Sequence, residues 1–230
     1  MKWTSLLLDL LFPPKCAFCG RLLHSGERTV CSRCAKALPY VEDSAVVRKG
    51  AYGRCTVSLY YEDMVRDGIH GYKFGGRQNC AGVFAQYMVQ TAAEHLSGEF
   101  DQITFVPVSR RRLKERGYDQ SRLLAEAMAK CWEMEAVPTL RKVRHTPPQS
   151  GLGTPEERRA NVLGAYEILP GAEVAGGRFL LVDDVLTTGS TMDACVQTLR
   201  QGGAASVVCA ALATPRTRSA KKADSGDASH

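Results

Sequence analysis

Arg178-Phe179-Leu180-Leu181-Val182-Asp183-Asp184-Val185-Leu186-Thr187-Thr188-Gly189-Ser190-Thr191 is the stretch that decides the fold of this chain. An apolar run ends in two adjacent carboxylates, and a short loop of small hydroxyl residues around one glycine follows. The run has the length of a buried parallel strand. Met192 to Gln201 reads as a helix closed by Gly202-Gly203. Ser190 or Thr191 is placed to cap that helix, so its first N–H groups point into the loop. A phosphate there meets backbone donors, Thr and Ser hydroxyls and the positive end of the helix dipole. Two carboxylates at the carboxyl end of the strand suit a polyol or a magnesium-bound water. The combination asks for a sugar phosphate.

No Lys follows the glycine and the pattern is not G-x-G-x-x-G, so the loop is neither of the familiar nucleotide motifs. It resembles the 5-phosphoribosyl-1-pyrophosphate (PRPP) motif of type I phosphoribosyltransferases: four apolar residues, two acids, then a T-T-G-S-T type loop. A plain strand–helix turn with an ordinary cap leaves the crowding of two acids and four hydroxyls unexplained. Strands alternate with helices from residue 100 onward. That order predicts an α/β fold, a mainly parallel sheet flanked by helices, with the ligand site at the carboxyl ends of the strands.

Outside this motif the expected elements are a strand at 57–61, helices at 64–72 and 81–95, a strand at 103–108 and a helix at 118–132. Strands at 137–143, 165–169 and 206–213 complete the set. The basic stretch 109–117 carries no element signal, and the polar stretch 144–160 reads as a long loop.

The chain has 230 residues, 44% hydrophobic and 23% charged, which fits one mid-sized soluble domain plus a small module. A net charge of +6 permits anionic partners without demanding them. No segment reaches the ~18 apolar residues of a membrane span. Near the start, Trp3, Leu6, Leu7, Leu10 and Leu11 form one apolar helical stripe. Asp9 within it and Pro13-Pro14 after it, without a small-residue cleavage site, argue against a signal peptide. The stripe lacks a basic opposite face, which argues against a membrane-surface anchor. A helix docked on the body of a cytoplasmic protein is expected.

Four of the nine cysteines form Cys16-x-x-Cys19 and Cys31-x-x-Cys34, eleven residues apart. Each pair is a turn that aims two thiolates at one point, and two such turns complete a tetrahedron around zinc. Two disulfides are disfavoured in the cytosol, and a redox dithiol would belong in a βαβ context. Four thiolates leave no open position, so the zinc is expected to be structural. His24 is then a loop residue, and Cys55, Cys80, Cys131, Cys195 and Cys209 are small core residues. The expected organisation is an N-terminal helix and four-cysteine zinc module over 1–45, a phosphoribosyltransferase-like domain over 46–215, and a disordered polar tail over 216–230.

Further motifs accompany these: Pro13-Pro14-x-Cys16-x-x-Cys19-Gly20, Tyr72-Lys73-Phe74-Gly75-Gly76, Val106-Pro107-Val108, Arg116-Gly117-Tyr118-Asp119-Gln120, Thr146-Pro147-Pro148-Gln149 and Arg158-Arg159-Ala160-Asn161-Val162. As a set they resemble the bacterial competence protein ComF family, which includes GntX-like proteins, over about residues 5–215. The resemblance implies a type I phosphoribosyltransferase-like fold behind a zinc module, and a link to natural transformation and single-stranded DNA. It also implies that Asp183 and Asp184 accept from the ribose hydroxyls and orient magnesium. Thr187, Thr188, Gly189, Ser190 and Thr191 would hold the 5-phosphate. Lys73, Arg110 and Arg116 are candidates to neutralise pyrophosphate, and the 144–160 loop, with Arg158 and Arg159, is a candidate lid. Tyr118-Asp119 stands where the family usually has Phe-Asn. The Asp119 carboxylate either weakens pyrophosphate binding or caps the next helix.

Two functions remain open at this point. One is a magnesium-dependent phosphoribosyltransferase with an unknown acceptor. No general base is evident, and the lack of a Cys at residue 1 or 2 argues against a glutamine amidotransferase. The other is a PRPP-binding module that engages single-stranded DNA or DNA-uptake proteins. Its charge would come from 110–116 and 141–144, and Tyr72, Phe74 and Tyr118 would offer stacking faces, though such rings more often belong to a core.

Overall fold

The computed structural model describes residues 13–41, 46–49, 52–144 and 164–216. The expected N-terminal helix, residues 145–160 of the polar loop with Arg158 and Arg159, and the tail beyond Arg216 lie outside the described residues.

Among the described residues five strands build the main sheet: β1 (Val46–Lys49), β2 (Gly53–Tyr60), β3 (Gln102–Phe105), β6 (Arg178–Val185) and β7 (Ser206–Thr214). Their order is β1-β2-β7-β6-β3, and every pairing is parallel except β1 on β2. The motif strand β6 is an inner strand, with Val182 opposite Ala210 on one side and Phe105 on the other. Burial on both faces explains its unbroken apolar run. Leu180 and Val182 face one core with α2 (Asp63–Phe74), α3 (Ala81–Leu96) and α5 (Gln120–Cys131). Phe179 and Leu181 face the other with α6 (Ser190–Gln201).

A second, two-stranded antiparallel sheet pairs β4 (Leu140–Lys142) with β5 (Tyr166–Ile168), Lys142 opposite Tyr166. The strands expected at 137–143 and 165–169 are therefore shorter and stand apart from the main sheet. The strand expected to reach Val108 stops at Phe105. Pro107, which lacks an N–H, cannot extend its ladder.

The basic stretch, which carries no element signal in the sequence, forms a helix, α4 (Arg110–Arg116). The Ser109 hydroxyl accepts from the Arg112 N–H at 3.3 Å, and Gly117 closes the helix at φ 80°. Asp119 caps α5, accepting from the N–H groups of Arg122 at 3.2 Å and Val108 at 2.9 Å. Of the two roles open to this carboxylate, capping is the one seen.

The cysteine segment, with α1 (Ser32–Ala37), does not hang free. The Phe18 ring enters the core, 5.4 Å from the Phe84 ring and 5.8 Å from the Tyr87 ring. Val41 donates to the Ser58 carbonyl at 3.1 Å. At the other end, Arg216 stacks on Tyr60 and pairs with Glu62 at 2.9 Å.

Candidate functional site

Strand β6 delivers its two acids in opposite directions, as adjacent strand residues must. Asp183 Oδ1 accepts from the Ser121 hydroxyl at 2.8 Å and from the Asp184 N–H at 2.9 Å. Burial, and then the neighbouring Asp184 charge, push the Asp183 carboxyl up to about 7. Asp184 instead meets the Lys73 ammonium at 2.8 Å, with the two side chains 10% and 21% exposed. Lys73 sits in the last turn of α2, where a cation also suits the helix dipole.

The hydroxyl loop closes on itself through a contact of 3.0 Å between Thr188 Oγ1 and Ser190 Oγ. Gly189, not Ser190 or Thr191, is the N-cap of α6, in the left-handed region at φ 81° with no side-chain cap bond. Only glycine fits here on two counts. The backbone angle disfavours a side chain, and a Cβ would come within 2.4 Å of the Tyr52 ring. The Tyr52 N–H is tied to Asp193 in the first turn of α6 at 2.8 Å. A cavity of about 30 Å3 lies in the crook of the loop, lined by Asp183, Thr187, Gly189 and Thr191 among others.

The other expected cations separate. Arg116 lies 4.7 Å from the centroid of the Phe74 ring and donates to Gln120 Oε1 at 2.7 Å. Burial draws its pKa down, and Asp184 acts in the opposite direction. Lys73, Phe74 and Arg116 thus gather on the Asp184 side. Arg110 is exposed on α4 and lines a larger cavity of about 1150 Å3 between α4, α5 and the small sheet. None of residues 178–191 lines that cavity.

Ser121 and Tyr166, outside the expected set, and Lys142, from the basic stretch 141–144 expected to meet nucleic acid, complete the site. Ser121 orients Asp183. Tyr166, buried on β5, is hydrogen-bonded to the Thr191 side chain. The Lys142 ammonium sits 5.0 Å from the Tyr166 ring centroid. Burial, followed by the charge of Arg112, pulls Lys142 down to about 8. Lys142 and Tyr166 are 24 positions apart in the chain, so no local pattern joins them.

Two of the expected stacking rings are core residues. Tyr72 is fully buried and donates to the Gln120 carbonyl at 2.8 Å, and the buried Tyr118 donates to the Tyr72 carbonyl. Phe74 stays 62% exposed. Cys55, Cys80, Cys195 and Cys209 are buried as expected, but Cys131 is exposed.

The Cys16, Cys19, Cys31 and Cys34 sulfurs lie within 4.8 Å of one another. Cys19 Sγ and Cys31 Sγ are 3.7 Å apart, matching the edge of about 3.8 Å that a tetrahedron of four thiolates around zinc requires. N–H groups point at two of the sulfurs: Cys31 at Cys16 Sγ and Cys34 at Cys31 Sγ, both at 3.4 Å. These residues fit a structural zinc ion. Among the described residues no helix is long and apolar enough to cross a membrane.

Comparison with known proteins agrees with this geometry. Residues 119–228 match the phosphoribosyl transferase domain, and residues 7–51 match the double zinc ribbon domain. The DNA utilization protein YhgH of Escherichia coli (strain K12) is 30% identical over 206 residues, covering 84% of this chain and 86% of that protein. Competence protein F of Haemophilus influenzae is 24% identical, covering 82% of this chain and 92% of that protein. Competence protein ComFC of Bacillus subtilis is also 24% identical, covering 84% and 74%. With the type I phosphoribosyltransferase-like fold and the cysteine cluster already in place, these likenesses put the chain in the ComF family.

Proposed function

We propose that this chain binds PRPP with magnesium at the β6–α6 loop, and that it serves the handling of single-stranded DNA in the cytoplasm. The observation that carries the ligand assignment is the β6–α6 junction. There two acids stand beside a glycine-hinged hydroxyl loop at the start of a helix with no side-chain cap. The N–H groups of that first turn and the hydroxyls of Thr187, Thr188, Ser190 and Thr191 hold the 5-phosphate. Asp183 and Asp184 accept from the ribose hydroxyls. Magnesium, bound together with PRPP, neutralises charge on the pyrophosphate. Lys73 exchanges Asp184 for that pyrophosphate, with Arg116 behind it. Arg110, exposed on α4 and lining the larger cavity, meets nucleic acid rather than pyrophosphate. The DNA assignment is supported by the exposed basic face of α4, the exposed Phe74 ring and the names of the relatives.

Lys142 favours a second reading, turnover with an unknown acceptor. An amine whose pKa lies near 8, close to Asp183 and to the tyrosine that holds Thr191, suits proton transfer from an incoming nucleophile.

The test is titration calorimetry of the zinc-loaded protein with magnesium and PRPP, followed by fluorescence anisotropy with a single-stranded oligonucleotide. Saturable PRPP binding that is lost in Asp183→Asn is expected, together with an oligonucleotide affinity that responds to PRPP. Absence of PRPP binding overturns the ligand assignment. Absence of oligonucleotide binding at moderate salt overturns the DNA assignment and leaves turnover, which is read as pyrophosphate release lost in Lys142→Met.

A further inference from the structure

The zinc segment and the acid pair are joined by one helix. α2 carries Gly68 and Gly71 on the side that meets the first cysteine turn, and Lys73 at its end. A Cβ on Gly68 would sit 3.0 Å from Phe18 Cα and 3.1 Å from the Ala17 carbonyl oxygen. A Cβ on Gly71 would sit 2.8 Å from Arg77 Nη1. Glycine inside a helix costs about 1 kcal/mol relative to alanine. Here the cost is offset by the close approach it permits. Into the slot beside Gly71 goes the Arg77 guanidinium, which donates to the Cys16 carbonyl and, at 3.0 Å, to the Ala17 carbonyl. Both acceptors belong to the Cys16-Ala17-Phe18-Cys19 turn, whose shape is set by two of the four zinc ligands. The Arg77 N–H also approaches the Gly71 carbonyl at 3.5 Å. Arg77 thus touches the metal-shaped turn and the last turns of α2 together.

We propose that Arg77 is a positioning residue that locks the end of α2 to the zinc-bound cysteine turn, so that metal occupancy sets the Lys73–Asp184 contact. Without the metal the turn loses its fixed shape and Arg77 loses its two carbonyls. The glycine face of α2 then loses its partner, and Lys73 is no longer held at Asp184. The coupling is reciprocal, so a ligand that fixes Lys73 also retards zinc loss. Its consequence for PRPP affinity rests on the reading proposed above, whereas the Lys73–Asp184 geometry does not.

The experiment is timed amine acetylation with mass-spectrometric readout at Lys73 and Lys130. It compares zinc-loaded wild type, metal-stripped wild type, zinc-loaded Arg77→Ala and zinc-loaded Arg77→Lys. Lys130, on the distant end of α5, reports general loosening. The expected result is a rise of roughly five-fold or more at Lys73 in the stripped and Arg77→Ala proteins. Lys130 stays unchanged and Arg77→Lys falls between. An unchanged Lys73 rate overturns the proposal. So does a rise shared equally by Lys73 and Lys130 in both variants, which would mean that Arg77 stabilises the whole chain rather than α2. A PRPP titration separates the two readings. If wild type fails to bind PRPP while Lys73 still responds, the ligand assignment falls and the coupling stands. If wild type and Arg77→Ala bind PRPP equally while Lys73 responds, the consequence for PRPP affinity falls and the coupling of Arg77 to Lys73 stands.

Discussion

The Lys73 ammonium lies 2.8 Å from Asp184 Oδ1, joining the end of α2 to the carboxyl end of β6. The pair is mostly shielded from water, so removal of one partner leaves a poorly solvated charge. Lys73→Ala is expected to cost about 1–3 kcal/mol in denaturant unfolding without ligand. Adding Asp184→Asn should recover part of that loss. Additive costs in the double-mutant cycle would mean that the ion pair contributes nothing.

Asp183 carries a stability cost that depends on pH. Its carboxyl is raised from 3.8 to about 7 by burial and by Asp184, so ionising it costs more in the folded chain than in the unfolded one. The favourable contribution is fully present below the unfolded value, falls as pH rises towards 7, and is gone above it. Asp183→Asn should therefore raise the melting temperature at pH 8, by roughly 3 °C or more. At pH 4 it should have little effect. A thermal scan at both values checks this, with PRPP binding lost throughout.

Gly189→Ala meets both a left-handed backbone and the Tyr52 ring. We expect it to cost about 1–3 kcal/mol and to abolish PRPP binding. A variant that unfolds at the wild-type denaturant midpoint would show that the loop adjusts freely.

Thiol chemistry should sort the cysteines. Among the described residues only Cys19 and Cys131 are exposed, and Cys19 belongs to the metal cluster. The native zinc-loaded protein should present one fast-reacting thiol, absent in Cys131→Ser. Adding a zinc chelator should release the four cluster thiols next. Simultaneous reaction of all five would show that the metal does not protect its ligands.

Arg110 and Lys114 are exposed on α4, one helical turn apart. Arg110→Glu with Lys114→Glu should weaken oligonucleotide binding. It should also flatten the salt dependence by about 0.7 in log–log slope for each phosphate that these side chains neutralise. An unchanged slope would remove α4 from the nucleic-acid surface.

How much of this is legible in the chain alone follows from where the signal resides. Strand β6 is buried on both faces, so its apolar run and terminal acids stand out. The cysteine turns stand out because metal geometry fixes their spacing. α4 is invisible as a helix because none of its residues is buried. Without an apolar stripe, only Ser109 and Gly117 mark its ends. Lys142, Tyr166 and Ser121 reach the site from separate elements, and nothing local in the sequence brings them together. The cap of α6 lies one or two residues earlier than its hydroxyls suggest. Hydroxyls next to a helix ordinarily cap it, but here Gly189 takes that position and the hydroxyls line the loop.

Phe18 lies between Phe84 and Tyr87, and Gly68 makes room for its backbone. The cysteine segment is therefore keyed to its host rather than carried as an interchangeable cassette. A lineage that exchanged this segment for another zinc ribbon would have to inherit the aromatic plug, the two-glycine seat and the arginine clasp together. Gene fusions that swap the segment alone should yield insoluble chains, so evolutionary change here is expected to proceed by matched substitution across the seam rather than by shuffling.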